Sequence, residues 1–328
     1  MNAHNPDTAF QRRQFLTRAI GLAAVSAKAG NLFAQGPTTQ GALTPGAHTE
    51  GATQTKVVRA SGVHVKLGLN AYSFNKPLTD GSITLAGVVD YCAQHRIDAL
   101  DATGYYFPGY PKVPSDDYIF GLKRHAFVNG VILSGTGVRN DFTVPDSAAR
   151  SADVQMVKNW IEVAAKLGAP VIRVFTGRGV AQGQTFDNTL EWMIPNFREC
   201  AEHGKRFGVI VGLQNHDDFL KTAAQTIRVI DAVGSPWFGS ILDIGSLRQG
   251  DPYAEIEKLM PYAVSWQLKE KVGRGTQEET TDLQKVKAII DRGGYRGFLP
   301  VETLGAGDPR EKVAIYIEHA RKVFAPAA

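Results

Sequence analysis

The feature that most constrains this 328-residue chain is an alternation, repeated eight times from Val63 onward, of short Val/Ile/Leu-rich runs with longer stretches of helical apolar spacing. The expected strands are Val65–Asn70, Ile97–Thr103, Val131–Thr136, Val171–Thr176, Val209–Asn215, Phe238–Ile244, Tyr262–Lys269 and Gly297–Thr303. The helical stretches between them are Thr84–His95, Ser115–Asn129, Ser147–Leu167, Leu190–Phe207, Phe219–Val233, Tyr253–Leu259 and Thr281–Arg292, with Asp308–Val323 closing the series. Unbroken apolar strands are what a parallel sheet covered on both faces requires. An open, doubly wound sheet is the rival, and it usually carries a Gly-rich phosphate turn after its first strand. GLNAYSF (68–74) is no such turn. The expectation is one α/β domain, a (β/α)8 barrel over 63–328, with its site at the C-terminal strand ends.

Four of the later strands run into polar groups. VIVGLQNH ends in Gln214, Asn215 and His216, SILDIGS holds Asp243, SWQLKE holds Gln267 and Lys269, and FLPVETLG holds Glu302. A polar side chain at the end of an apolar run is costly unless it is bonded or functional. Residues two apart on a strand share a face, so two carboxylates, two amides, a lysine and an imidazole are expected to converge at the barrel mouth. Arg173 lies within the fourth strand, where a buried arginine normally has a carboxylate or ligand partner. Arg139, after the third strand, is polar at a comparable height. Tyr105 and Tyr106 begin a Pro/Gly-rich aromatic loop after the second strand; aromatic faces suit the C–H faces of sugars, and packing of the loop on the barrel is the alternative.

The first 34 residues read differently. Arg12-Arg13-Gln14-Phe15-Leu16 precedes a short Ala/Gly-rich apolar stretch with small-residue cleavage candidates, which resembles a twin-arginine export signal. The apolar run is too short to span a bilayer. Residues 35–62 are rich in Gly, Thr, Ala, Gln and Pro without periodicity and read as a disordered linker. The formal charge is +4, but residues 1–34 hold four basic residues against one acid, leaving 32 basic and 31 acidic residues in the remainder. A mature protein this close to neutral, periplasmic or otherwise exported, gives no electrostatic footing for nucleic acid or, once the signal is cleaved, for a membrane surface. Cys92 and Cys200 lie in separate helical patterns and are expected to be buried free thiols.

With these strand ends in view, the chain resembles the sugar phosphate isomerase/epimerase superfamily, the xylose isomerase-like TIM barrels, over Val63–Val323. Members carry a Glu in a strand like "lEnh", an Asp in "lDigH", a His in "HlKD" and a Glu in the last strand. The corresponding residues here are Gln214, Asp243, Gln267 and Glu302, and Ser246 stands where many relatives have a second His. ATGYYFPGYP, GVRNDF and LQNHDDFLKT further resemble a branch with twin-arginine signals. The resemblance implies a divalent metal on Asp243, Glu302, Gln214 and Gln267. With Gln in place of Glu and of His the set would be all oxygen, which favours Mg²⁺ or Mn²⁺ over Zn²⁺. The alternative is a hydrogen-bonded mouth in which Gln214 and Gln267 hold sugar hydroxyls directly.

The implied activity is sugar isomerisation or epimerisation. Enolisation needs a base beside a carbonyl and an electrophile for the enolate oxygen. Glu302 is the expected base, Lys269 the electrophile or a second base, and His216 a further base. Gln214, Asn215, Gln267 and Arg173 are the expected contacts within the mouth, with Arg139, Tyr105 and Tyr106 around it. Export points to a free or keto sugar as the small-molecule partner rather than a sugar phosphate. β-Elimination or hydrolysis of a 3-keto-glycoside needs only one base and is a second reading, and a non-catalytic periplasmic sugar-binding barrel is a third; under any of them a homo-oligomer is open. A zinc endonuclease of this fold would need His at Gln267 and Ser246.

Overall fold

A computed structural model describes residues 55–216, 219–273 and 278–324. The signal-like segment 1–34, most of the stretch read as linker, and Asp217 and Asp218 lie outside the described residues. The eight apolar runs form parallel strands: β1 His64–Asn70, β2 Ala99–Thr103, β3 Ile132–Gly137, β4 Val171–Val174, β5 Ile210–Gln214, β6 Phe238–Asp243, β7 Ala263–Lys269 and β8 Arg296–Glu302. Each pairs with the next and β8 pairs with β1, so the sheet closes into a barrel. The helices of eight residues or more among the described residues are α1 Leu85–Gln94, α2 Asp116–Val128, α3 Ser147–Leu167, α4 Phe186–Phe207, α5 Ala223–Val233, α6 Pro252–Leu259, α7 Leu283–Gly293 and α8 Pro309–Phe324. No helix among the described residues is long and apolar enough to cross a membrane.

Local chemistry sets the helix ends. Thr84, Ser115, Asp146, Thr185, Thr222, Asp251 and Asp282 each accept a hydrogen bond from a backbone N–H of the first turn that follows. Gly168, Gly208, Gly234 and Gly294 end their helices in the left-handed region. These caps account for two departures from the expected spans. α4 begins at Phe186 rather than Leu190 because Thr185 caps it, and α5 begins at Ala223 because Thr222 caps it. Phe219, expected inside that helix, instead stacks on Phe186 with ring centroids 4.6 Å apart.

The core fills the space between barrel and helices, with Trp160, Trp266, Tyr295 and Phe197 among its fully buried side chains. Cys92 and Cys200 are free and buried, as expected, and burial pushes the Cys200 thiol up to about 12. The described end of the stretch read as linker is held under the barrel. Val57 N–H donates to Pro261 O at 2.9 Å, the Arg59 guanidinium donates to Arg296 O and Ala263 O, and that guanidinium lies 4.7 Å from the Tyr295 ring centroid. After β7 a short antiparallel ladder pairs Lys271–Val272 with Glu279–Thr280, an element the apolar pattern does not announce.

Candidate active site

The strand register sets the polar ends side by side: Lys269 beside Glu302, Asp243 beside Gln267, and Arg173 between Gly137 and Gly212. Asp243 is fully buried and organises the β5–β8 side. Its Oδ2 accepts from Gln214 Nε2 (2.6 Å) and Ser246 Oγ (2.8 Å), and its Oδ1 from Gly245 N–H (2.9 Å). Lys269 Nζ lies 3.2 Å from Asp243 Oδ2 and 2.8 Å from Glu302 Oε1. Burial alone would lower the lysine, but the two carboxylates outweigh it and hold Lys269 above its ordinary value. Burial would likewise raise Asp243; Lys269 leads the groups that hold it below the usual carboxylate range. The pair therefore stays charged from acid to alkaline pH.

Asn215 is spent on backbone. Its Nδ2 donates to Asp243 O (2.9 Å) and its Oδ1 accepts from Asp243 N–H (2.8 Å), clipping β5 to β6. Gln267 is enclosed by polar groups. Turned one way its oxygen accepts from Gln214 Nε2 at 2.7 Å; turned the other it accepts from Arg173 Nη1 (2.5 Å) and Asn70 Nδ2 (2.9 Å). Either way Gln267 is committed to protein partners.

On the β1–β4 side, Arg173 fills the barrel interior because its neighbour Gly137 has no side chain. A Cβ on Gly137 would lie 2.9 Å from Arg173 Nε. The guanidinium faces Tyr105, Asp101 and Glu302, which together outweigh its desolvation and hold it charged. Asp101 is buried on β2, and its Oδ1 has no hydrogen-bond partner among the described residues. Burial, reinforced by Glu302 and opposed by Arg173, pushes its carboxyl up to about 6.

Above this layer opens a cavity of about 180 Å³, walled by Tyr72, Tyr105, Arg139, Arg173, Phe175, Gln214, His216, Lys269, Glu302 and Leu304. A wider cavity of about 470 Å³ on the β3–β4 side shares Arg139, Phe175 and His216 with it. The structure thus brings seven of the expected residues to one wall: Glu302, Lys269, His216, Gln214, Arg173, Arg139 and Tyr105. Asp243, Gln267 and Asn215 lie in the buried layer beneath. Tyr106 turns away and donates to Asn75 Oδ1 at 2.7 Å. The rest of the aromatic loop packs rather than lids: Phe107 and Tyr110 each lie 5.4 Å from the Trp160 ring. Gln214 Oε1 is buried and accepts no hydrogen bond among the described residues.

Sequence reasoning missed Tyr72, Phe175 and Leu304 on the wall, and Asp101 and Asn70 beneath it. Asp101 had a usable signal, since it is a charge inside a fully buried strand, ALDAT. The aliphatic and aromatic wall residues had none, because they read like any core position.

A closed parallel barrel with a polar cluster at its C-terminal strand ends is the scaffold of TIM-barrel enzymes. Residues 90–323 match the family described as Xylose isomerase-like TIM barrel, and the chain belongs to that family. No curated protein sequence matches it. Among solved structures, it is similar to D-psicose 3-epimerase with D-tagatose from Clostridium cellulolyticum H10. The identity is 16%, the TM-score 0.66, and the match covers 79% of this chain and 99% of that one. A 3-keto-D-glucoside 4-epimerase from E. coli matches at 14% identity and TM-score 0.65, over 79% and 99%. An IOLI protein with a bound zinc atom matches at 15% and TM-score 0.65, over 80% and 100%.

The metal implied by that family does not suit these residues. The four positions do come together, but around an ammonium: Lys269 Nζ takes the place between Asp243 and Glu302 that a cation would need. Gln214 points its NH₂ at Asp243, and Gln267 is bonded within the protein. Among the described residues no three His, Cys, Asp or Glu side chains are grouped to hold a metal ion. At about 4 Å and an effective dielectric near 20, a dication and an ammonium would repel by about 8 kcal/mol.

Proposed function

We propose that this chain is an exported enzyme of the isomerase/epimerase type, acting on a free or keto sugar by removing a proton next to a carbonyl. The observation that carries the reading is Lys269 Nζ held 2.8 Å from Glu302 Oε1 at the wall of a monosaccharide-sized cavity. In this reading Glu302 takes the proton, the C–H electron pair enters the new carbon–carbon double bond, and the carbonyl oxygen gains the charge. An ammonium has three N–H donors, and the carboxylates engage two of them; the third faces the developing oxyanion. His216, at the edge of the same cavity with its ring 5.4 Å from Phe175, is the group placed to return a proton from another side. Arg139, Arg173 and Tyr105 orient the hydroxyls. The paired arginines at Arg12 and Arg13 support the twin-arginine route to the periplasm.

A second reading, β-elimination from a 3-keto-glycoside, is favoured by the adjoining cavity of about 470 Å³, which has room for a leaving group, and by Gln214, which leaves the site one acid short. Both readings require α-proton removal. In D₂O, the wild-type protein should exchange the α-hydrogen of D-fructose or D-tagatose, followed by NMR. Glu302→Gln should cut that exchange by about 100-fold or more while sugar binding is retained. Binding without exchange in the wild type would leave only a sugar-binding barrel.

A further inference from the structure

The lysine at the end of β7 is built into its position. Its backbone carbonyl accepts from Thr281 Oγ1 (2.7 Å) and Tyr316 Oη (2.6 Å), which pins the strand end. Its stem crosses Gly245, where a Cβ would lie 2.7 Å from Lys269 Cδ. Its head meets two buried acids, one of them, Asp243, already oriented by Gln214, Ser246 and the Gly245 amide. A surface lysine has none of these restraints. This is how a fixed charge is preorganised, with the reorganisation cost met in folding rather than during reaction.

We propose that Lys269 Nζ is the resident cation of this site, holding the position and the electrophilic role that a divalent metal ion would otherwise take. Deprotonation of the substrate then proceeds without a metal, the charge on the substrate oxygen being met by the ammonium N–H. The two acids hold the ammonium as they would hold a metal ion, and Gln214 in place of a third acid matches the smaller charge they need to balance. The catalytic part of this proposal rests on the proton-transfer reading above; the competition between ammonium and metal does not.

The test uses Mn²⁺ and the full folded protein. Wild type, purified without chelator, should contain no stoichiometric metal, and millimolar Mn²⁺ should leave its unfolding temperature unchanged. Lys269→Met frees Asp243 and Glu302, and Mn²⁺ should then raise the unfolding temperature by about 5 °C. Should that variant fail to fold, Gly245→Ala, whose Cβ would lie 2.7 Å from Lys269 Cδ and 3.0 Å from Lys271 O, displaces the lysine stem and should give the same gain of Mn²⁺ response on a smaller scale. Tight Mn²⁺ binding by the wild type, or equal Mn²⁺ responses in wild type and a folded variant, would overturn the proposal. Chelator should also leave α-hydrogen exchange unchanged. If no sugar exchanges at all, the functional reading falls while the Mn²⁺ titrations still decide which cation the site holds.

Discussion

The two halves of the barrel mouth solve the burial of charge in different ways. From β5 to β8, neighbouring side chains satisfy one another: Asp243 accepts from Gln214, Ser246 and Gly245, and Lys269 bridges it to Glu302. From β1 to β4, Arg173 is the buried cation, given room by Gly137, and it faces acids on distant strands. Asp101 Oδ1 and Arg173 Nε have no hydrogen-bond partner among the described residues. One device is shared. Asn140 clips the backbone of Phe175 with bonds of 2.7 and 2.9 Å, as Asn215 clips that of Asp243. Backbone is therefore secured on both sides, while side-chain satisfaction is complete on neither: Gln214 Oε1 and Thr303 Oγ1 are unpaired among the described residues on the β5–β8 side as well. A satisfied network holds fixed charges across a wide pH range. The half that holds Asp101, raised to about 6 by burial, is where protonation can change within the ordinary range.

The largest test of this contrast is Arg173→Met. It leaves Asp101 and Glu302 without their shared cation, and the expected loss is about 3 kcal/mol at pH 8 by urea unfolding. At pH 5, where Asp101 is largely protonated, the loss should be clearly smaller; equal losses at both pH values would remove the charge explanation. Next in size is Asp101→Asn. A carboxyl raised to about 6 contributes stability below its unfolded value near 4, and that contribution is lost as pH rises through 6. The variant should therefore be more stable than wild type by up to about 3 kcal/mol at pH 8 and equal to it at pH 4. The smallest effects belong to the aromatic loop. Tyr105→Ala should raise KM for the sugar by about tenfold, and Tyr106→Phe should leave it unchanged, because only Tyr105 reaches the cavity. Equal effects would mean that the loop moves as a unit over the site.

Much of the β5–β8 half was legible because each polar residue interrupts an apolar run at its C-terminal end, where period-two alternation says which way it points. Arg173 stood out for the same reason. Asp101 carried the same kind of signal, a charge within the apolar run ALDAT, and was overlooked, while Tyr72 and Leu304 were hidden by their likeness to core residues. Asn215 and Tyr106 show the opposite failure. Both are polar and near the mouth, yet one serves the backbone of Asp243 and the other Asn75, and no sequence pattern separates these uses from ligand binding.

By itself, then, the sequence determined the eight-fold alternation, the closed barrel and the end of the barrel that carries polar chemistry. Periodicity, caps and burial are local properties, and they are written residue by residue. Only the tertiary structure decided that Lys269 lies between Asp243 and Glu302, that Gly137 admits Arg173, and that Asp101 lies beneath them. Those facts depend on strand register and on contacts between residues far apart in the chain, such as Arg173 with Asp101 and Glu302. The charge balance of the site is set by which groups share a few ångströms of low-dielectric space, and that is fixed when the barrel closes.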